Sequence, residues 1–409
     1  MQRQEQSATL LAVFRRIDLL LLGITAVLTL FGLAMIASVS VFESYQLTLR
    51  LTQSGAMAAP TNAFYLTRHF LRVIEGIGVM LGMMFIPYHF WERHARTLYF
   101  VSLALLVAVF IPGLSAGWGT SSSWLRLGPL SLQPSELFKL TFIFYLAVWL
   151  QKREQLIGTL KEGFVPFATL LVASTVIIAL EPDFGTFLVL CGIATIMFFI
   201  AGGNVFHLFL GGSLAGVFGL PLILQKEYIR ARFTAFLFPD NPAIVESIGF
   251  QIRQALIAIG SGGLFGVGYG KSIQKFGYLP EVQADMIFSA MAEELGFLRL
   301  LIVLGMYAIL IARGYRIAQN APDRFGFLLA TGITSMLAVQ TSINIAVNIG
   351  LFPITGLTLP FVSYGGSSLL ATLCGIGILL NISMHSTEHA ITRAPRQEKR
   401  RFAFGLATR

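Results

Sequence analysis

Four polar groups stand beside or inside apolar runs: Gln133-Pro134-Ser135-Glu136 with Lys139, Glu181-Pro182-Asp183, Asp285 behind Leu279-Pro280-Glu281, and Glu293-Glu294. An ionisable group in such surroundings is costly, which makes each a functional candidate. A carboxylate there can take a proton from an attacking hydroxyl, and a lysine or arginine can hold an anionic leaving group. Each group also has a purely local explanation. Glu136 and Lys139, at i and i+3, make a helix-surface ion pair. Glu181-Pro182-Asp183 makes a tight turn with Asp183 capping the next helix, and Asp285 makes an N-cap. All but Glu293-Glu294 sit at the same end of their apolar runs, and that convergence favours one shared site.

Generic motifs are excluded in turn. The glycine-rich stretch from Gly260 to Lys271 has Phe265 where a phosphate loop needs glycine, and no register of it gives G-x-G-x-x-G. It reads instead as a turn or a close-packed helix at the membrane surface. His385-Ser-Thr-Glu388-His389 matches a metalloprotease pattern by chance, at the start of a basic tail. Cys191 and Cys374 lie within apolar runs and read as small buried hydrophobes.

The elements that must carry these groups are membrane spans. Of 409 residues, 55% are hydrophobic and 12% charged, with a mean hydropathy of +0.74. A soluble domain carries roughly 25% charged residues, so a water-soluble enzyme and a disordered chain are both excluded. The net charge of +9 is assigned to basic loops at the membrane, not to nucleic-acid binding. Ten apolar runs have the length of a span: 18–41, 70–88, 97–113, 134–151, 164–181, 184–202, 205–223, 285–312, 325–349 and 366–384. The expected fold is an all-α integral membrane protein with ten transmembrane helices. The first run lacks a small-residue cleavage site and is taken as an uncleaved span.

Ten spans leave both termini on one side, which carries 17 Lys and Arg against 10 on the other. Six of those ten lie in the long 224–284 loop, which weighs little in the positive-inside rule, so the termini are cytoplasmic. The chain divides into a cytoplasmic tail 1–17, a membrane domain 18–384 and a basic cytoplasmic tail 385–409. The outer loops are 42–69, 114–133, 224–284 and 350–365; the longest is rich in Phe, Tyr, Ile and Leu and is expected to be ordered.

The residues then resemble a known family. Gln133-Pro-Ser-Glu136-Leu-Phe-Lys139, Glu181-Pro-Asp-Phe-Gly-Thr186, Gly249-Phe-Gln251-Ile, Ala258 to Gly268, and Leu279-Pro-Glu281…Asp285…Glu293-Glu294-Leu-Gly296 are similar to signatures of the SEDS proteins (shape, elongation, division and sporulation). So are Gln340…Asn344 and the run from Gly350 through Pro353, Gly356, Pro360 and Ser363 to Ser367-Ser368. The resemblance covers nearly the whole chain and implies a ten-span peptidoglycan glycosyltransferase that polymerises lipid II outside the bacterial cytoplasmic (inner) membrane. Of the two main branches, septal FtsW and elongation RodA, the N-terminal extension and the Glu-Glu-Leu-Gly-Phe run are more similar to FtsW. It also implies a class B penicillin-binding transpeptidase as partner, other divisome membrane proteins, and a place at the division septum. The basic tail is expected to lie near anionic lipids. Departures from the pattern are Gln283-Ala284 for His-Thr, Met286 for Phe, Ser123 for Arg, and Ala255 for Ser.

A polyprenyl pyrophosphate leaves as a stable anion, so one carboxylate suffices where a glycosidase needs two. Asp285 is the candidate base, accepting the proton of the attacking hydroxyl in a single inverting displacement. Lys139, Arg230, Arg232, Lys271 and Lys275 are the outer-face cations for the pyrophosphate. Glu136, Glu181 and Asp183 are expected to orient those cations, or a divalent ion (Mg2+ or Mn2+) should one assist; no dedicated metal-ligand set and no other cofactor is expected. Gln251, Asn344, Ser363 and Ser367, in the matched stretches, are the implied substrate contacts. Two other functions fit the chain. A lipid II flippase would need polar groups near the midplane, which Glu293-Glu294 suggest. A catalytically weak scaffold that activates a transpeptidase would explain Gln283-Ala284.

Overall fold

The structure, a computed structural model, describes residues 17–111, 115–118, 121–127, 130–181, 183–239 and 248–405. The N-terminal extension, Pro182, and the side chains of Ser123 and of the tail beyond residue 385 fall outside the described residues. In chain order come α1 (Leu19–Val39), α2 (Val41–Gln53), α3 (Phe64–Phe85), α4 (His89–Ala108), strands β1 (Ser115–Trp118), β2 (Ser121–Leu127) and β3 (Leu130–Leu132), and α5 (Pro134–Lys152). There follow α6 (Val165–Leu180), α7 (Phe184–Ile200), α8 (Val205–Leu214), α9 (Leu220–Ile223), α10 (Glu227–Leu237), α11 (Ile248–Gly262), α12 (Ile287–Gln319), α13 (Arg324–Asn348) and α14 (Gly366–Gly405).

The fold is helical as expected, and a helix lies on each of the ten apolar runs. Five helical segments among the described residues are long and apolar enough to cross a membrane: Leu19–Val39, Leu160–Leu180, Ile287–Gln319, Arg324–Asn348 and Gly366–His385. A sixth is added if α3 and α4, bent by 119° at their junction, form one broken span. The remaining runs fall short for physical reasons. Helix α5 carries Glu136, Lys139 and Lys152, α7 is only 17 residues long, and α8 gives way to a π-helical turn at Ala215–Gly219.

Two features lie outside the expected spans. The 114–133 loop holds a small antiparallel sheet of order β1-β2-β3, with Ser115 opposite Leu125 and Arg126 opposite Ser131. The described part of the 224–284 segment contains two helices of its own, α10 and α11.

Caps set where the helices begin. Pro134 opens α5 with Glu136 in its first turn, where the helix dipole favours an acid. Asp183 accepts from the Thr186 amide to start α7, and Asp323 accepts from the Gly326 amide to start α13. Asp18 caps α1 and also receives the Arg313 guanidinium of α12 at 2.5 Å, which ties the first span to the eighth apolar run. Among the five span-length segments α13 and α14 are the most buried, α14 packing on α3 and α13 on α12, α7 and α5.

The glycine-rich run is a backbone clasp. Helix α12 breaks at Gly296 (φ 73°), which frees main-chain groups that a continuous helix would pair. The run supplies partners: the Val267 and Gly268 amides donate to Glu293 and Glu294 carbonyls, and the Phe297 and Leu298 amides donate to Gly263 and Leu264 carbonyls, at 2.9–3.1 Å. Such close approach excludes side chains. A Cβ on Gly266 (φ 77°) would stand 2.3 Å from the Glu294 carbonyl oxygen. Gly266→Ala should therefore destabilise the protein by about 2–4 kcal/mol, from left-handed strain plus the clash. An unaltered melting temperature in detergent would contradict the clasp.

Candidate functional site

Asp285 lies two residues before α12, yet it does not cap that helix: the N-cap is Met286, which makes no side-chain capping bond. The residue is buried, 7% exposed, and Oδ1 meets no hydrogen-bond partner. Its main chain, by contrast, is firmly held. The Asp285 carbonyl accepts from Asn344 Nδ2 at 2.9 Å and Asn348 Nδ2 at 2.8 Å, and the neighbouring Gln283 carbonyl accepts from the Tyr364 amide at 2.8 Å. Burial, then the nearby Glu281 carboxylate, push the Asp285 carboxyl up to about 7, against the pull of its own and Met286's main-chain amides and of the Arg232 guanidinium. The surrounding backbone is strained as well. Glu281 (φ 52°) and Phe361 (φ 68°) both adopt left-handed conformations that non-glycine residues rarely hold, and such outliers gather at functional sites.

A second polar set forms at the start of α5. Lys139, 1% exposed, donates to Glu136 Oε2 and Gln340 Oε1, both at 2.8 Å. Gln340 passes the network to the Thr358 carbonyl and to Ser368 Oγ. On the neighbouring turn, Ser135 donates to Asp183 Oδ2 at 3.0 Å, so Asp183 both caps α7 and ties it to α5. Glu181 is buried with neither carboxylate oxygen partnered. Burial and the adjacent Asp183 carboxylate push it up to about 8, so at neutral pH it holds its proton and can donate. Ser363 Oγ accepts from the Leu359 amide, and Ser367 Oγ accepts from the Gln133 amide. Both serines hold the loop leading into α14 in place.

The cations expected to meet the pyrophosphate separate into different kinds. Arg232 of α10 is half-buried beside Asp285, with one guanidinium nitrogen buried and unpartnered, and its helix leans on the start of α7 through Phe233 against Phe184. Arg230 and Lys271 are exposed, and Gln251 is half-buried on α11. Lys275, expected among the pyrophosphate cations, is a buried counter-ion in this structure. Its ammonium donates to Glu294 Oε1 at 3.2 Å, the Gly270 carbonyl at 2.6 Å and Ser38 Oγ at 3.3 Å. Glu294 also receives Ser38 Oγ and the Gly270 amide, while Glu293 receives Ser272 Oγ and the Ile273 amide. These two glutamates are absorbed by the glycine clasp, which removes the observation that favoured a flippase.

Asn348 and Tyr364 hold the main chain around Asp285 and were not singled out from the sequence. The signal for the first was present: Asn344 and Asn348 stand i and i+4 inside an apolar run, hence on one helix face. The Tyr364 contact is made through its amide, which no side-chain pattern reveals.

Comparison with known proteins follows the same outline. A family model for the cell cycle proteins FtsW, RodA and SpoVE matches residues 18–388. "Stage V sporulation protein E" of Bacillus subtilis is 41% identical, covering 90% of this chain and 97% of its own length. "Probable peptidoglycan glycosyltransferase FtsW" of Trichlorobacter lovleyi is 40% identical, covering 90% and 93%. Among solved structures, a chain of a peptidoglycan synthase complex, described as coordinating polymerization and crosslinking, superposes with a TM-score of 0.72 at 27% identity over 90% of this chain and 98% of that one. The rod shape determining protein RodA of Thermus thermophilus superposes with a TM-score of 0.64 at 28% identity, covering 90% and 96%.

Proposed function

The chain belongs to the FtsW, RodA and SpoVE family of cell cycle proteins, and from that premise we propose that it is a peptidoglycan glycosyltransferase with Asp285 as its base. It polymerises lipid II at the outer face of the cytoplasmic membrane. The family likeness, with curated relatives named FtsW, supports a role in septal wall synthesis. Ten spans with cytoplasmic termini bring Asp285, the start of α5 and the α6–α7 turn to that outer face. The observation that carries the reading is a buried carboxyl with an unpartnered oxygen, its main chain fixed and a guanidinium beside it.

In the proposed step, the acceptor hydroxyl of one lipid-linked sugar attacks the anomeric carbon of the other. Its proton passes to the Asp285 carboxylate, the new glycosidic bond forms, and the bond to the pyrophosphate oxygen breaks with inversion. Polyprenyl pyrophosphate departs carrying the electron pair, met by the Arg232 guanidinium and, at the rim, by Arg230 and Lys271. Protonated Glu181 is suited to donate a hydrogen bond to a phosphoryl or sugar oxygen. Lys139 is held by Glu136 and Gln340, so it contributes a fixed field at the start of α5. A divalent ion does not fit a ready-made site: no three His, Cys, Asp or Glu residues come together to hold one among the described residues.

The likeness to a synthase complex supports a crosslinking transpeptidase as the working partner. The test is the purified full chain, alone and with its cognate class B transpeptidase, given lipid II in detergent and scored for glycan strands. A flippase or an inactive scaffold makes none. The rate carries a further signature: kcat/KM should rise with pH through about 7 as Asp285 ionises, falling about tenfold per unit below that value. A rising limb centred near 4 would assign the base elsewhere.

A further inference from the structure

The side chains of Asn344 and Asn348 converge on an atom that takes no part in chemistry, the main-chain carbonyl oxygen of Asp285. The two residues stand one turn apart at the end of α13. Each has a second attachment that fixes its amide. Asn348 Oδ1 accepts from the Ser289 amide at 3.1 Å and from Ser289 Oγ at 2.8 Å, so it also closes the first turn of α12. Its Nδ2 donates to the Asn344 carbonyl as well, at 2.9 Å. Asn344 Nδ2 donates in addition to the Leu357 carbonyl at 2.6 Å, joining the 350–365 loop to the same point. Neither amide can be turned over, because a flip would set a carbonyl oxygen against the Asp285 carbonyl.

We propose that Asn344 and Asn348 form a clamp that positions the catalytic carboxylate, with Asn348 as a positioning residue that never meets substrate and Asn344 as both clamp and sugar contact. The reading rests on the polymerase function proposed above. Four hydrogen bonds tie the main chain at Asp285 and the start of α12 to α13, yet the carboxylate oxygen Oδ1 is left with no partner. That is the arrangement of a preorganised base: a fixed backbone and an oxygen reserved for the incoming proton. Asn344 Oδ1 is also buried and unpartnered. It accepts and cannot donate, so its match on a lipid-linked sugar is a hydroxyl or acetamido N–H next to the reacting hydroxyl. Of the charged groups that face Asp285, Glu281 lies on the preceding loop and Arg232 on α10.

Steady-state kinetics on lipid II with the full-length chain in detergent, with its transpeptidase partner present, test the clamp. Asn348→Ala should lower kcat by about 10–100-fold with KM for lipid II within about twofold, as expected for a misplacement near 1 Å. Its acid limb should also move below that of the parent, because a loosened loop admits water to the carboxyl. Ser289→Ala removes one anchor of Asn348 and should give the same pattern at a few-fold loss; it decides the question if Asn348→Ala does not fold. Parental kcat and acid limb in these variants, or a loss confined to KM or to the melting temperature, would overturn the clamp while leaving the polymerase reading intact. A parent protein that makes no glycan would overturn both.

Discussion

Asp285→Asn should abolish most glycan synthesis, by about 10²–10⁴ in rate, while lipid II binding and the fold persist. The substitution changes one atom type and removes the proton acceptor. The main-chain bonds to Asn344, Asn348 and the Gln283–Tyr364 pair do not involve the side chain and remain. Stability should move the other way. The Asp285 carboxyl is pushed up to about 7 by burial, so the folded state prefers it protonated. That preference is present in full in acid and is lost as pH rises through about 7, above which the native protein holds a buried charge. At pH 8 the Asn variant should therefore melt no lower than the parent, and higher if the charge is poorly compensated. An inactive variant that is also destabilised at pH 8 would mark Asp285 as a structural residue. A stable variant that still makes long glycan strands would remove it as the base.

This pairing of lost activity with retained or gained stability is the mark of a residue kept for chemistry. It also separates Asp285 from Asp183 and Asp323, which are acids at helix starts too. Those two spend their oxygens on capping amides, Thr186 and Gly326 respectively. Replacing either with alanine removes a cap, worth about 1 kcal/mol. Sequence spacing alone does not distinguish the three, since each precedes an apolar helical run. The structure does, because only Asp285 leaves a buried carboxylate oxygen unpartnered among them.

The helical runs were legible because hydropathy acts over about twenty residues and a helix answers directly to it. The ten runs read from the sequence all carry helices, and the polar residues that interrupt them, Glu136, Lys139 and Glu181, are buried. The 114–133 sheet was not legible: strands as short as Ser115–Trp118 give no alternation long enough to stand out. The direction of side chains in long loops was not legible either. Lys275 and Lys271 look alike in sequence, both basic and both within or beside a glycine-rich stretch, yet one is buried on Glu294 and the other exposed. What separates them is the break at Gly296, which draws the loop onto α12 and brings Lys275 with it. A glycine between Glu-Glu-Leu and Phe-Leu gives no warning of a helix break of that kind, because an isolated glycine is tolerated within most helices.

Lys275→Met should for that reason be a stability variant before it is an activity variant. Its ammonium is the only cation bonded to Glu294 among the described residues, and Glu294 is itself fully buried beside Glu293. Removing the lysine leaves two adjacent carboxylates held by hydroxyls and amides alone: Ser38, Ser272 and the main chain of Gly270 and Ile273. An uncompensated buried charge costs about 3–5 kcal/mol, to be read as a fall in melting temperature in detergent. The double variant Lys275→Met/Glu294→Gln removes the orphaned charge and keeps a group that can still accept from Ser38 and Gly270. It should recover most of the loss, a coupling that two independent sites would not show. Had Lys275 been a pyrophosphate contact, the single variant would melt normally and fail in KM for lipid II, and the second substitution would rescue nothing. The clasp therefore predicts opposite results in both measurements, and the double variant decides between them even if the single one is too unstable for kinetics.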